Sequence, residues 1–289
     1  MGTESIQDIK RRIKSVSSTE RITNSMKLVS AGKLRKARSL FERTNENAHF
    51  ITKTIRDLFD ADTEVPPDYL EGSREIKNTA YIIITSSKGL CGGFNTNVIK
   101  MAQSGMDELT GEPVIFAIGG KGLEYFEKRG YSIEDSYLAP PESITFLEAK
   151  EMVGPLLEMY ENGTIDEIVI VYTSFASAIE QKVVKERLLP FRIEENPAKE
   201  GPNRHVVYEP STDVVFNYLI PKFVEMKIYS AVIESATCEH AARRMAMENA
   251  TDNAREMMDE LNLSYNQARQ STITDEIIEI VAGSEAQAG

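Results

Sequence analysis

Two glycine-rich segments carry the residue types that could bind phosphate. The first, Ser86–Asn97 (SSKGLCGGFNTN), lies between an apolar run and a helical stretch, and the second is Gly119–Gly122 (GGKG). A strand, a glycine-rich turn and a helix N-terminus can cradle phosphate, because backbone N–H groups point at the anion. Neither segment matches GxxxxGK[ST] or GxGxxG, and Lys121 has no motif partner. We therefore favour tight turns whose glycines let another chain approach closely.

The cysteines, histidines and carboxylates do not form a catalytic or metal-binding pattern. Cys91 and Cys238 lie far apart, and the three histidines are isolated in the chain: His49, His205 and His240. No Cys and His have zinc-site spacing, and no Ser-His-Asp order is persuasive. Two cysteines indicate a reducing compartment rather than a disulfide framework. We predict no catalytic residue, no metal, no cofactor and no small-molecule substrate.

A basic segment lies near the N-terminus of an otherwise acidic chain. Between Lys10 and Arg38 there are ten Lys or Arg residues and one acid, Glu20, whereas the whole chain has a net charge of −12. Such a segment can bind nucleic acid electrostatically, but no aromatic residue lies within it to stack on bases. The asymmetry favours an acidic protein partner.

Two long helices, one at each end of the chain, must position these segments. Apolar residues at Ile6, Ile9, Ile13 and Val16 form a heptad seam in a stretch that lacks proline. A helix of some 55 residues would span about 80 Å. From about 213 to 282 the only breaker is Pro221, and the segment from Gly283 onward is expected to end the second helix. We predict that the two helices pair antiparallel, and that the longer one extends beyond its partner.

The middle of the chain has the pattern of an α/β domain. Three short apolar runs alternate with helical stretches, which indicates a parallel sheet covered on both faces: residues 79–86, 113–119 and 166–174. A polar alternating run at 179–188 indicates an antiparallel edge strand. The predicted fold class is α/β, with a long antiparallel coiled coil of the N- and C-terminal helices and an inserted Rossmann-like domain with a mostly parallel sheet. The predicted boundaries are 1–60, 75–210 and 211–289.

Three stretches of this sequence resemble the gamma subunit of F-type ATP synthases. They are Ile9–Ala37 (IKRRIKSVSSTERITNSMKLVSAGKLRKA), Ser86–Asn95 (SSKGLCGGFN) and Glu239–Ala286, which begins EHAARRMAMENATDNAREMMDELNLSYNQARQ. Together they run from one end of the chain to the other at matching separations. One position departs from the family's pattern, because Ser87 stands where an Asp is usual, which affects only a local contact or turn cap.

The resemblance implies a mechanical role without catalysis by the chain itself. It implies a coiled coil inside a ring of three alpha and three beta subunits, with a foot held by the epsilon subunit and the membrane c-ring. Ion flow, of protons or sodium, would turn this shaft and drive ATP synthesis at the beta subunits. The implied location is the cytoplasmic face of a bacterial plasma membrane, with no signal or transmembrane segment.

The resemblance also implies which residues touch the other subunits. Contacts with the beta subunits are expected from nine residues: Met26, Lys27, Lys88, Cys91, Arg243, Arg269, Gln270, Thr274 and Glu276. Tyr208 and Glu209 are expected at the membrane ring and the epsilon subunit. From the residues alone, Met26 fits core packing in the seam equally well, and Arg269 and Gln270 fit a solvated helix face.

Two other functions stay open at the level of sequence. A nucleotide-binding α/β enzyme would bind nucleotide at Gly89–Gly93. A basic-helix nucleic-acid adaptor would show steeply salt-dependent binding, against which the net charge of −12 argues.

Overall fold

The computed structural model describes residues 5–60, 67–72, 74–109, 111–177, 180–191, 209 and 211–288. The chain divides into two compact units. The helix-pair unit consists of Met1–Ser30 and Arg244–Gly289, and the sheet unit consists of Ala31–Arg243. Two long helices contribute to both units, α1 (Ile6–Asp60) and α5 (Thr212–Ala288).

In its described residues, the sheet unit has five strands and three further α-helices. In chain order they are β1 (Thr79–Ile84), α2 (Phe94–Met106), β2 (Val114–Ile118), α3 (Gly120–Glu127), β3 (Ile133–Tyr137), α4 (Phe146–Glu161), β4 (Glu167–Phe175) and β5 (Gln181–Leu189). The strand order is β3-β2-β1-β4-β5. The first four strands are parallel and β5 runs antiparallel to β4, which confirms the predicted mostly parallel sheet with an antiparallel edge.

The sheet is buried on both faces because its central strands are mostly apolar, and the buried Thr79 and Glu167 are hydrogen-bonded to each other (2.9 Å). All six residues of β1 are buried. Ile83 points to the face covered by α2 and α3, whereas Ile82 and Ile84 belong to the larger core that α4, α1 and α5 complete. Successive side chains of a strand point to opposite faces. This alternation explains why two separate apolar clusters meet at one strand.

Within the sheet unit, the two long helices pack on one face of the sheet. Ile55 of α1 and Phe216, Ile228 and Val232 of α5 share the core with Tyr160 of α4. Phe41 of α1 also packs its ring edge-on against Phe175 at the end of β4, with 5.9 Å between ring centroids. The helices are thus anchored to the sheet by apolar burial, the main favourable term in folding.

The helix-pair unit is an antiparallel pair formed by the first part of α1 and the last part of α5. The direction follows from interhelix contacts at matching register. Arg255 approaches Glu20 (3.0 Å), the Thr251 hydroxyl lies 2.8 Å from the Thr23 hydroxyl, and Lys10 lies over the ring of Tyr265. The antiparallel pairing of the terminal helices that the sequence predicts is confirmed in this unit.

The sequence analysis missed one strand and placed the end of one helix wrongly. Strand β3 was not expected, since its sequence IEDSY carries three consecutive exposed polar residues at the sheet edge. Helix α5 does not end at Gly283 but continues to Ala288. One glycine inside a helix costs only about 1 kcal/mol relative to alanine, and the Ser, Glu, Ala and Gln residues that follow it tolerate helix well.

Candidate subunit-contact site

The two glycine-rich segments meet at the carboxyl ends of β1 and β2, where side-chain hydrogen bonds tie them together. The Ser86 hydroxyl donates to the Lys88 carbonyl (2.5 Å), and the Ser86 amide donates to Asn95 Oδ1 (2.9 Å). The Thr85 hydroxyl oxygen accepts from the Gly122 amide (2.8 Å). The loop after β1, residues 86–93, is therefore fixed at both ends. We call it the contact loop.

Leu90 is the most exposed apolar residue of the contact loop. Its φ is +63°, which makes it the only non-glycine residue with positive φ in the described part of the chain, and its side chain is 62% exposed. Such a conformation persists in a non-glycine residue only where its surroundings hold it. Its neighbour Cys91 is buried with Phe94 and Cys238. The loop thus presents Leu90 and the exposed Lys88 outward and places its sulfur inside.

Arg243 of α5 holds the contact loop from behind. Its Nη2 donates to the carbonyls of Lys88 (3.1 Å) and Gly89 (3.2 Å), and its Nη1 donates to Glu239 Oε1 (2.7 Å). Arg243 is 9% exposed. The structure therefore brings together Lys88, Cys91 and Arg243 from the predicted set. It gives Cys91 and Arg243 interior partners, so that of these three side chains only that of Lys88 is exposed.

A groove of about 350 Å³ lies beside the contact loop, lined by the loop, α2 and α3. It contains the cations that a phosphate site would use, but each has a partner. Lys121 and Lys128 both pair with Glu124 (2.9 and 2.7 Å), and Arg129 stacks on the ring of Tyr125 at 3.5 Å. The two lysines hold the pKa of Glu124 down, at about 2. This arrangement favours a structural role for the cations over phosphate binding.

The four predicted contact residues on the last part of α5 share an exposed stretch of the helix-pair unit: Arg269, Gln270, Thr274 and Glu276. Every residue from 269 to 282 is exposed. The stretch also exposes apolar side chains, with Ile273 43% and Ile277 56% accessible. The sequence prediction that the longer helix extends past its partner agrees with this exposure.

The remaining predicted residues are divided between helix and loop. Met26 and Lys27 lie half-buried on α1 in the helix-pair unit, next to the exposed Leu28. Glu209 is exposed just before α5. Tyr208 lies outside the described residues. The half-burial of Met26 is compatible with both seam packing and a contact.

Sequence reasoning missed the residues that support the contact loop. His240, Glu239 and Glu142 are buried or half-buried around Arg243, and Lys33 reaches Glu142 (2.8 Å). His240 and Lys33 hold the pKa of Glu142 well below its usual value, whereas burial raises the pKa of Glu239. Two charged residues and a histidine within five positions of a largely buried part of α5 were the available signal. The partner Glu142 is a hundred positions away and was not foreseeable.

The described residues contain no group of three His, Cys, Asp or Glu side chains placed to hold a metal ion. A helix that is both long and apolar enough to span a bilayer is likewise missing from this part of the chain.

Comparison with known proteins gives consistent matches over the full sequence. A family model described as ATP synthase matches residues 5–287. The ATP synthase gamma chain of Alkaliphilus metalliredigens is 44% identical over 97% of this chain and 98% of its own length. The sodium ion specific gamma chain of Acetobacterium woodii is 41% identical, with 98% and 99% covered. In fold, the chain is similar to one in the mitochondrial ATP synthase of Euglena gracilis, with TM-score 0.72, 22% identity, and 98% and 94% covered.

Proposed function

The chain belongs to the gamma-chain family of ATP synthases, and on that premise we propose that it is the central rotor shaft of such an enzyme. It couples ion flow through a membrane ring to ATP synthesis, or hydrolysis, at the beta subunits, and is itself non-catalytic. The observation that carries this proposal is the 44% identity to a gamma chain across nearly the whole of both chains. Its partners are three alpha and three beta subunits, the epsilon subunit and the membrane c-ring.

The rotating shaft acts on the beta subunits as a ligand does. Each beta subunit meets a different face of the shaft in turn, and each face favours a different conformation of the nucleotide site. A ligand shifts a conformational equilibrium only as far as its affinities for the two states differ, so rotation changes nucleotide affinity without bond chemistry in the shaft.

The contacts with beta fall into two groups. The contact loop offers Lys88 and Leu90, while Cys91 and Arg243 support it from inside. On the helices, Met26 and Lys27 of α1 and the exposed stretch of α5 with Arg269, Gln270, Thr274 and Glu276 form the second group. The exposed stretch of α5 is suited to binding a partner, because an isolated helix of this length is only marginally stable in water.

The foot of the shaft lies at the domain of residues 75–210, between helical segments 1–60 and 211–289. Tyr208 and Glu209 contact the membrane ring or the epsilon subunit. The chain is peripheral, bound at the cytoplasmic face of the plasma membrane.

Co-expression with alpha and beta subunits from the same source tests the proposal. The expected result is a stable complex whose ATPase activity requires this chain, while the chain alone neither binds nor hydrolyses nucleotide. A chain that stays apart from these subunits, or that binds nucleotide at the contact loop, would refute the shaft assignment.

A second experiment tests how the load is distributed along the shaft. We expect Arg269→Ala to leave ATP-driven rotation in place, because contacts are shared along the coiled coil. Loss of rotation in an intact complex with this one change would contradict shared loading.

A further inference from the structure

A set of charged and polar side chains, buried around Arg243, connects the contact loop to three other elements of the sheet unit. Lys33 of α1 pairs with Glu142 (2.8 Å), which lies in the short 3-10 helix Pro141–Ser143 before α4. Glu142 Oε1 lies 3.5 Å from His240 Nε2, and His240 Nδ1 lies 3.5 Å from Arg243 Nη1. Arg243 then reaches the loop carbonyls.

The geometry fixes the direction of the hydrogen bonds around His240. A guanidinium nitrogen only donates, so His240 Nδ1 accepts from Arg243. The ring proton then lies on Nε2, which faces the Glu142 carboxylate. His240 is 1% exposed, and its Nε2 has no hydrogen-bond partner among the described residues, since the Glu142 carboxylate is 3.5 Å away. The imidazole therefore lies between a cation and an anion that belong to different elements.

The buried centre of the set is an ion pair. Arg243 is buried beside the carboxylate of Glu239, whereas Glu142 is half-buried and pairs with Lys33, whose side chain is 53% exposed. Arg243 has a side-chain exposure of 10% and Glu239 one of 6%. Burying ions is costly unless they are paired and hydrogen-bonded, and removing one partner leaves the other uncompensated. A buried set of this kind favours one arrangement of its members over nearby alternatives.

We propose that Glu239 and His240 are positioning residues that hold Arg243 on the carbonyls of Lys88 and Gly89, and so lock the contact loop to α5. The consequence of the lock rests on the proposed function: a locked loop transmits force between the shaft and a beta subunit without changing its own conformation. The lock itself does not depend on that function. A loop that only turns the chain between β1 and α2 needs no buried guanidinium on its carbonyls.

Amide hydrogen exchange of residues 86–93 in the isolated full chain measures the lock directly. Arg243→Lys keeps the positive charge but cannot donate in a fork, and Glu239→Gln keeps the shape but loses the charge. We expect each to speed loop exchange about tenfold or more, the effect of losing one charge-assisted hydrogen bond. Glu42→Gln is the matched control, because it removes an exposed α1 ion pair with Arg38 that does not touch the loop.

Two replacements at His240 separate positioning from packing. Glutamine can accept from Arg243 through its oxygen and donate to Glu142 through its nitrogen, whereas leucine fills similar space without polar atoms. We expect His240→Gln to keep slow loop exchange and His240→Leu to accelerate it. If leucine protects the loop as well as glutamine does, or if none of these changes affects loop exchange, the lock is refuted.

The same variants, assembled with the partner subunits, test the consequence. We expect the ion pumping per ATP hydrolysed to fall in the order of their loop exchange. Faster loop exchange with unchanged coupling would show a lock that does not transmit force, which refutes the proposed consequence. If the unaltered chain itself fails to support coupled activity, the proposed function fails instead, and the exchange result for the lock stands independently.

Discussion

A pair of buried hydroxyl groups joins the two helices of the helix-pair unit, and its removal should have a defined cost. Thr251 is fully buried and Thr23 is 9% exposed, and their hydroxyl oxygens lie 2.8 Å apart. Each hydroxyl also lies near a carbonyl of its own helix, Met247 for Thr251 (2.7 Å) and Glu20 for Thr23 (3.0 Å). Two protons cannot satisfy three contacts at once, so one of these three contacts is always left without a proton.

The number of available protons sets the expected loss in the free energy of unfolding. Thr251→Val keeps the side-chain volume and removes the bond between the helices, while Thr23 can still donate to its own helix. No buried donor is left without an acceptor, so the loss should be that of one ordinary hydrogen bond, about 1 kcal/mol. Thr23→Val should cost the same amount. The double variant removes both hydroxyls and so leaves no buried polar group without a partner, and it should cost less than the sum of the two single variants.

Native-state hydrogen exchange of the helix amides flanking both positions is the assay, because it reports opening of this unit without unfolding the whole chain. Thr19→Val is the matched control, since Thr19 is exposed and its hydroxyl contacts only the Ser15 carbonyl (3.2 Å) of its own helix. It should change stability by less than about 0.5 kcal/mol. Strict additivity, with the double variant about 2 kcal/mol less stable, would show that the two hydroxyls do not act as a pair.

Three further predictions concern the sheet unit. A Cβ on Gly119, where φ is +90°, would lie 2.1 Å from the Thr85 carbonyl oxygen, so Gly119→Ala should lower the free energy of unfolding by about 3 kcal/mol or more, measured by thermal unfolding. The control is Gly130→Ala, at φ +79° with open space around it, which should lower it by about 1 kcal/mol. Burial raises the pKa of Glu234, so its ionised form destabilises the fold. Above that raised pKa, Glu234→Gln should therefore be more stable than the unaltered chain. The difference, measured by urea unfolding across pH, should vanish as the pH falls below the pKa of Glu234 in the unfolded chain. Thr145 is part of a capping box at the start of α4, so Thr145→Ala should cost about 1 kcal/mol in the same urea assay, and no loss there would refute the cap.

The elements that could be predicted from sequence are those with a strong repeating pattern. The long helices follow from the spacing of their apolar residues and the lack of breakers. The buried strands β1, β2 and β4 follow from runs of mostly apolar residues, since burial on both faces of a sheet leaves few polar positions. Strand β3 lacks such a run because only one edge of it pairs and most of its side chains face outward. The residues around Arg243 could not be predicted either, since a charge in a helix gives no sign of which distant loop will neutralise it.

Cys91 and Leu90 show the same limit at the level of single residues. Neighbours in a glycine-rich loop have no periodicity that separates the buried side from the exposed side, so sequence could place both in the loop but could not say which one faces out. Only the positive φ of Leu90 and the burial of Cys91 beside Cys238 decide it.

The two proposed contact regions differ in how their side chains are held. This difference suits a shaft that must bind each beta subunit and then release it. The contact loop is tied to the sheet by Ser86 and to α5 by Arg243, so little conformational entropy is left to lose when it meets a partner. Stretch 269–282 of α5 is exposed throughout, with no helix packed on it among the residues that the structure describes, and it exposes Ile273 and Ile277. A partner must order that stretch through many weak contacts, none of which is held in one geometry by the chain itself. A rigid loop favours a contact that is strong in one orientation, whereas a bare helix tolerates successive partners, and we expect the loop to carry the larger share of any orientation-dependent force.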